Sequence, residues 1–149
     1  MTKIKINIQK VCKKKKFIPL KKDFQKWLSF LFKKKKIEIT IRIVEKYEIK
    51  MLNFLYRKKN FPTNILSFSF NSFFKENNFC YLGDIIMCKS YLEQEAFKYK
   101  KNLKEHWAHL TIHATLHLLK YTHNTFESQK KMENLEIKLL SKLGYKNPY

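Results

Sequence analysis

Ile4, Ile6 and Ile8 alternate with polar residues at the start of the chain, the period-two pattern of a strand with one buried face. The run Lys13–Lys16 interrupts all periodicity and predicts a loop. From Pro19, the residues Leu20, Phe24, Trp27, Leu28 and Leu31 recur at helical spacing. The proline sits near the start, where its missing N–H costs nothing. A second lysine run, Lys33–Lys36, is expected to end that helix. Ile37, Ile39, Ile41 and Ile43 then alternate with charged and polar residues, a half-buried strand. Ile49, Leu52, Asn53 and Tyr56 suit a short helix ending near Arg57. Pro62 breaks the pattern, and Ile65–Phe70 reads as a third strand. A polar stretch through Lys75–Asn78 separates it from a fourth, Cys80–Cys88, so these two strands suggest a hairpin.

The rest of the chain is helical. Lys89–Lys101 forms one expected helix, and Lys104–Leu119 a second, with Trp107, Leu110, Thr111, Ala114 and Leu118 on one side. A third, Phe126–Leu143, carries Met132, Leu135, Leu139 and Leu143 and stops at Gly144. The order β-α-β-α-β-β-α-α-α predicts an α+β fold, about five helices on a small mixed four-stranded sheet. At 149 residues the chain suits one domain spanning 1–149.

Composition adds limits. A hydrophobic fraction of 44% with 13 Phe indicates a folded globule. No apolar stretch approaches the roughly 20 residues of a membrane helix, and the N-terminus lacks a signal peptide's apolar centre; a cytoplasmic location and no membrane partner are expected. Cys12, Cys80 and Cys88 are odd in number, scattered and without CxxC spacing, so they read as reduced thiols. The formal net charge of +20 favours a polyanionic partner. Only Arg42 and Arg57 are arginine among 32 basic residues. Much of the charge therefore also fits compositional drift towards lysine, and it permits RNA binding without establishing it.

The chemistry lies in the histidines. All five (106, 109, 113, 117 and 123) fall within eighteen positions. His113 and His117 are spaced i, i+4, which puts both imidazoles on one helical face within reach of one ion. His109 is about 12 Å along the axis from His117, too far to share a metal with it. His123, beyond the expected helix end, can fold back as a third donor. A tetrahedral zinc with an open position is thus predicted on His113, His117 and His123. His106 and His109 are left as structural, RNA-facing or ligand-orienting residues. Ala114 follows His113, where a metalloprotease of the HExxH type needs its glutamate base, which argues against peptide hydrolysis.

The segment His113-Ala-Thr-Leu-His117-Leu-Leu-Lys-Tyr-Thr-His123 resembles the YbeY signature H-G-x-L-H-L-x-G-Y-D-H. Three further stretches match in order: Leu52-Asn53 through Tyr56-Arg57, Pro62–Phe68, and Leu82-Gly83-Asp84-Ile85. The resemblance implies a zincin-like α+β fold and Zn2+ on the three motif histidines. It also implies single-strand endoribonuclease activity in maturation of the small-subunit rRNA 3′ end, with rRNA and the small ribosomal subunit as partners and no DNA. Arg57 matches the family arginine near the metal, and its planar fork suits phosphate. Three positions depart from the signature: Ala114 and Lys120 for Gly, and Thr122 for Asp. Lysine at a left-handed helix end costs about 1 kcal/mol.

The expected mechanism is zinc-assisted hydrolysis of a phosphodiester, with Arg57 stabilising charge on the phosphoryl oxygens. The general base is not evident. One rival is a non-catalytic RNA-binding assembly factor with a structural zinc; another is a metal-dependent hydrolase with a different substrate. Asp84 is read as ending a turn or supporting the ligand helix, and Tyr121 as packing.

Overall fold

The alternating isoleucines form neighbouring strands. β1 (Ile4–Lys10) and β2 (Ile37–Val44) run parallel, Ile4 opposite Ile37 and Ile8 opposite Ile41. The computed structural model describes residues 4–33, 35–70, 75–76 and 79–149. Within it, β3 (Ile65–Ser69), β4 (Lys75–Glu76) and β5 (Phe79–Cys88) complete the sheet. The order is β1-β2-β5-β3, with β4 against the start of β5. β5 is parallel to β2 and antiparallel to β3 and β4, so the sheet is mixed. The expected polar separator is thus partly a strand, because Lys75 and Glu76 pair with Cys80 and Phe79. Asn77 and Asn78 of that stretch, and Lys34 of the second lysine run, lie outside the described residues.

Five helices surround the sheet: α1 (Lys21–Leu28), α2 (Lys46–Arg57), α3 (Lys89–Lys98), α4 (Leu103–Leu118) and α5 (Phe126–Lys142). α1 ends before the lysine run that was expected to stop it. The Ser29 and Leu31 amides bond back to the carbonyls of Lys26 and Leu28, a tightened final turn. Leu20, expected on the apolar face, is instead the exposed N-cap, its N–H donating to Asp23 Oδ2 at 2.8 Å. The fold class expected from the element order, α+β on a small mixed sheet, is the one observed.

The main core lies between one sheet face and the helices α1, α4 and α5. It joins the strand isoleucines, Ile85 and Met87 to Phe24, Trp27, Trp107, Leu116, Met132 and Leu140. Val44, Ile49, Leu66, Ile86 and Cys88 form a smaller cluster under α2 on the other face. β5 feeds both clusters, which is why Ile85–Cys88 is apolar without alternation. α4 is not one-sided as its pattern suggested. Ala108, Ile112, Thr115 and Leu116 are buried along with the predicted stripe, as expected for a helix at the centre of a core.

Four helices end on a left-handed residue: Lys58 (φ 60°), Lys100 (φ 53°), Lys120 (φ 74°) and Gly144 (φ 81°). In each case the next amide bonds back to a carbonyl inside the helix: Lys59 to Asn53, Lys101 to Ala96, Tyr121 to Leu116 and Tyr145 to Leu140. This is the closure glycine usually serves. The left-handed region costs a side-chain-bearing residue about 1–2 kcal/mol, while glycine adds about 0.4–1 kcal/mol of unfolded-state entropy. Lys100→Gly is therefore expected to stabilise the fold by about 0.5–1 kcal/mol and raise Tm by about 2 °C. Thermal unfolding reads this directly, and a lower Tm would mean the Lys100 side chain contributes more than its backbone costs.

Candidate metal centre

Because α4 is apolar on its other sides, His106, His109, His113 and His117 form its polar stripe, at spacings of three, four and four. The turn after α4 decides where His123 goes. The Lys120 N–H bonds to the His117 carbonyl and the Tyr121 N–H to the Leu116 carbonyl, so the chain reverses over the helix end. His123 then lies with its ring centroid 4.8 Å from that of His117 and 5.9 Å from that of His113. One donor nitrogen from each of the three falls within 4.8 Å of the others.

The tautomers follow from the neighbours. The Tyr121 carbonyl lies 3.0 Å from His117 Nδ1, and a carbonyl can only accept, so Nδ1–H donates. His113 Nδ1 lies 3.0 Å from Glu136 Oε1. Burial works to raise the Glu136 carboxyl. Hydrogen bonds from His109 and His113, and the charge of those rings, outweigh it and bring its pKa down to about 2. The carboxylate is ionised, so His113 Nδ1–H donates as well. Burial, followed by the neighbouring His113, holds His117 below the ordinary histidine range, favouring its neutral form. His117 Nε2 therefore carries a lone pair, and it faces His113 Nε2 3.1 Å away. A lone pair that close to a second ring nitrogen needs a cation between the two, either a proton on His113 Nε2 or a metal ion bound by both. Ligand atoms on a tetrahedral zinc with bonds of about 2.05 Å stand about 3.3 Å apart, so the pair fits such an ion.

A second group able to hold a metal is His109, His113 and Glu136, again with donor atoms within 4.8 Å. It shares His113 with the first. Cys80 and Cys88 form no such site: they are free thiols at opposite ends of β5, roughly 26 Å apart at strand rise.

The histidines open into a cleft of about 690 Å³. One wall is the end of α2, the following loop and the edge strand β3; the other is α4 and the turn carrying Lys120–His123. Arg57 is in that wall. Its Nη2–H donates to the Ser67 carbonyl at 3.0 Å, and its guanidinium lies 5.2 Å from the Phe68 ring centroid. Asn53, buried one turn earlier, donates from Nδ2 to the Phe61 carbonyl at 2.9 Å and holds the loop that follows Arg57. Lys59 and Lys120 also line the cleft, Lys120 donating to Ser69 Oγ at 2.9 Å. No aspartate or glutamate lines it among the described residues.

The other residues singled out in the sequence make contacts within the fold. His106 Nε2 is 3.1 Å from Glu95 Oε1, which also accepts from Asn64 Nδ2 at 3.1 Å, tying α3 and α4 to the entrance of β3. Burial raises the Glu95 carboxyl, yet hydrogen bonds from His106 and Asn64 outweigh that and keep it low. Asp84 lies within β5 and accepts from the Tyr81 hydroxyl, so it neither ends a turn nor touches the ligand helix through that bond. Tyr121 packs against the main core, and its carbonyl serves His117. Two residues beside the histidines escaped the sequence reading. Glu136 sits at a buried position of α5, and Tyr149 donates from its hydroxyl to Glu136 Oε2 at 2.8 Å. A glutamate among apolar positions of an otherwise amphipathic helix was the one available signal.

Comparison with known proteins identifies relatives. The family described as Endoribonuclease YbeY matches residues 5–144. Endoribonuclease YbeY of Buchnera aphidicola subsp. Acyrthosiphon pisum (strain APS) is 55% identical, over 100% of this chain and 97% of its own. The same-named protein of Wigglesworthia glossinidia brevipalpis is 46% identical over 97% of this chain and 96% of its own. The solution structure of TM1509 from Thermotoga maritima superposes with a TM-score of 0.59 at 23% identity, covering 94% of this chain and 91% of that one, which shows a shared fold. With the family match running almost end to end and relatives near half identical across their full lengths, this chain belongs to the YbeY endoribonuclease family.

Proposed function

We propose that this endoribonuclease, a hydrolase of phosphodiester bonds, is a one-domain zinc enzyme that cleaves single-stranded RNA. We further assign it to maturation of the 3′ end of small-subunit rRNA in the cytoplasm, working with the small ribosomal subunit. His113, His117 and His123 are the zinc ligands in this reading, and Arg57 engages the phosphate. The observation that carries it is the pair of Nε2 atoms 3.1 Å apart, beside His123 and in the same cleft as Arg57. The overlapping group of His109, His113 and Glu136 suits catalysis less well. It would take the His113 Nδ1 that already donates to Glu136, and Glu136 has no exposed surface from which substrate could be reached. A catalytic metal keeps an open position.

Bound zinc supplies Lewis acidity to a phosphoryl oxygen and lowers the pKa of water. The chain's own residues bind and orient the substrate. Arg57, held by Ser67 and Phe68, presents its remaining N–H groups to phosphate oxygens and stabilises charge that builds there. Lys59 and Lys120 attract the flanking phosphates, an interaction that weakens with salt. Phe61, 54% exposed at the cleft, is available to stack on an unpaired base, which favours single strands over duplex.

The test is cleavage of an oligoribonucleotide carrying the small-subunit rRNA 3′ end, as single strand and as duplex. The enzyme is assayed as purified, after chelator treatment, and after zinc is restored. Cleavage should be lost and regained with the metal and should spare the duplex. Arg57→Ala should keep zinc yet lose about 100-fold in rate. Full activity of stripped protein would refute zinc dependence, equal cutting of duplex would refute strand selectivity, and equal cutting of unrelated single strands would refute the rRNA assignment.

A further inference from the structure

Glu136 is a carboxylate with no exposed surface, on α5 between the buried Met132 and Leu140. An ion in that setting survives only where donors surround it. Three donors converge: His113 Nδ1–H on Oε1 at 3.0 Å, His109 Nε2–H on Oε2 at 2.5 Å and the Tyr149 hydroxyl on Oε2 at 2.8 Å. No lysine or arginine reaches it among the described residues. A hydrophobic side chain would join α5 to α4 at lower cost. What the carboxylate adds is a fixed negative charge on the far side of the His113 ring from the convergent Nε2 atoms.

We propose that Glu136 is a positioning residue of the metal centre, acting through His113, and that Tyr149 acts one step further out by holding Glu136. By accepting from Nδ1–H, the carboxylate keeps the proton off Nε2, fixes the plane of the ring and makes Nε2 a stronger donor. A cation held at Nε2 would in turn add to the counter-charge, which no lysine or arginine among the described residues provides. Tyr149 is suited to its part. Its residue is 60% exposed and its ring stands edge-on to His109 at 5.5 Å between centroids, so it contributes a hydroxyl at the carboxylate more than it fills the core. Burial and the Glu136 charge both push its phenol well above the ordinary range, so it remains a donor. His109, which spacing separates from His117, completes the group from the next turn of α4.

This inference rests on the ligand set proposed above, and the experiment separates the two. Zinc affinity is measured by competition with a chromophoric chelator for the unaltered chain, Glu136→Gln, Tyr149→Phe and His117→Ala. Imidazole nitrogen NMR on the metal-free chain reports which His113 nitrogen carries the proton. Glu136→Gln should bind zinc about 10–100-fold more weakly, Tyr149→Phe should shift the same way by less, and His113 should hold its proton on Nδ1. A role confined to packing would change thermal stability and leave affinity alone. If His117→Ala abolishes binding while Glu136→Gln and Tyr149→Phe bind like the unaltered chain, the positioning role is wrong and the ligand set stands. If His117→Ala binds zinc as tightly as the unaltered chain, both fall. Should Glu136→Gln fail to fold, Tyr149→Phe and the His113 tautomer decide, and a proton on Nε2 overturns the proposal.

Discussion

His117→Ala is expected to strip the protein of zinc and reduce RNA cleavage to background while the fold survives. The residue is half-buried at the last turn of α4, facing the cleft and not the core. Its loss removes one hydrogen bond, Nδ1–H to the Tyr121 carbonyl, worth about 1 kcal/mol. The effect on the metal is far larger. Changes to groups that merely orient a ligand weaken metal binding about 10–100-fold, so loss of a ligand should exceed that range. His113 and His123 alone, with ring centroids 5.9 Å apart, leave an incomplete site. Elemental analysis and circular dichroism of the variant give the answer together. Zinc retained at one per chain would exclude His117 from the ligand set, and a collapsed spectrum would make it a folding residue.

The second large effect is expected at a residue with no side chain. Gly83→Ala should destabilise the fold by about 2–4 kcal/mol, lowering Tm by about 5–10 °C. Gly83 has φ 151°, and a Cβ there would lie 2.2 Å from the Phe68 carbonyl oxygen and 3.0 Å from Leu118 Cδ2. The first atom is backbone of β3 and cannot swing away. The register explains the crowding: Tyr81 pairs with Glu38 but Gly83 with Ile39, so β5 bulges at Leu82 and is pressed towards its neighbours. Relief requires β3 or the end of α4 to move, and these carry one wall of the cleft and His117. Gly83→Ala should therefore lose zinc affinity as well as stability. An unchanged Tm would show that the strand shifts freely and that the motif glycine has another role.

Those two positions differ in how far they were legible beforehand. The histidine triplet falls in eleven consecutive residues, so helical spacing and one tight reversal suffice to bring the three rings together. The reversal itself was foreseeable, since Lys120 stands where a glycine is usual and does take the left-handed conformation. Gly83 was visible only as part of a motif. Its need for glycine arises from β3, β5 and α4 meeting at one point, and no local pattern encodes that meeting.

The sequence by itself determined the strands, the helices and the convergence of His113, His117 and His123, because backbone periodicity and short loops act over a few residues. Helix ends were less exact, as with α1, where a tightened turn competes with continued helix. The tertiary structure alone decided the two-residue strand at Lys75–Glu76, the burial of α4 on nearly every side, and the wall that brings Arg57 to the histidines. It also decided the carboxylate behind His113, 23 residues away on another helix, and the tyrosine 13 residues beyond that. Such contacts depend on how whole elements pack. A charged residue on an apolar face reveals that it needs partners, and only the packed core reveals which ones it has.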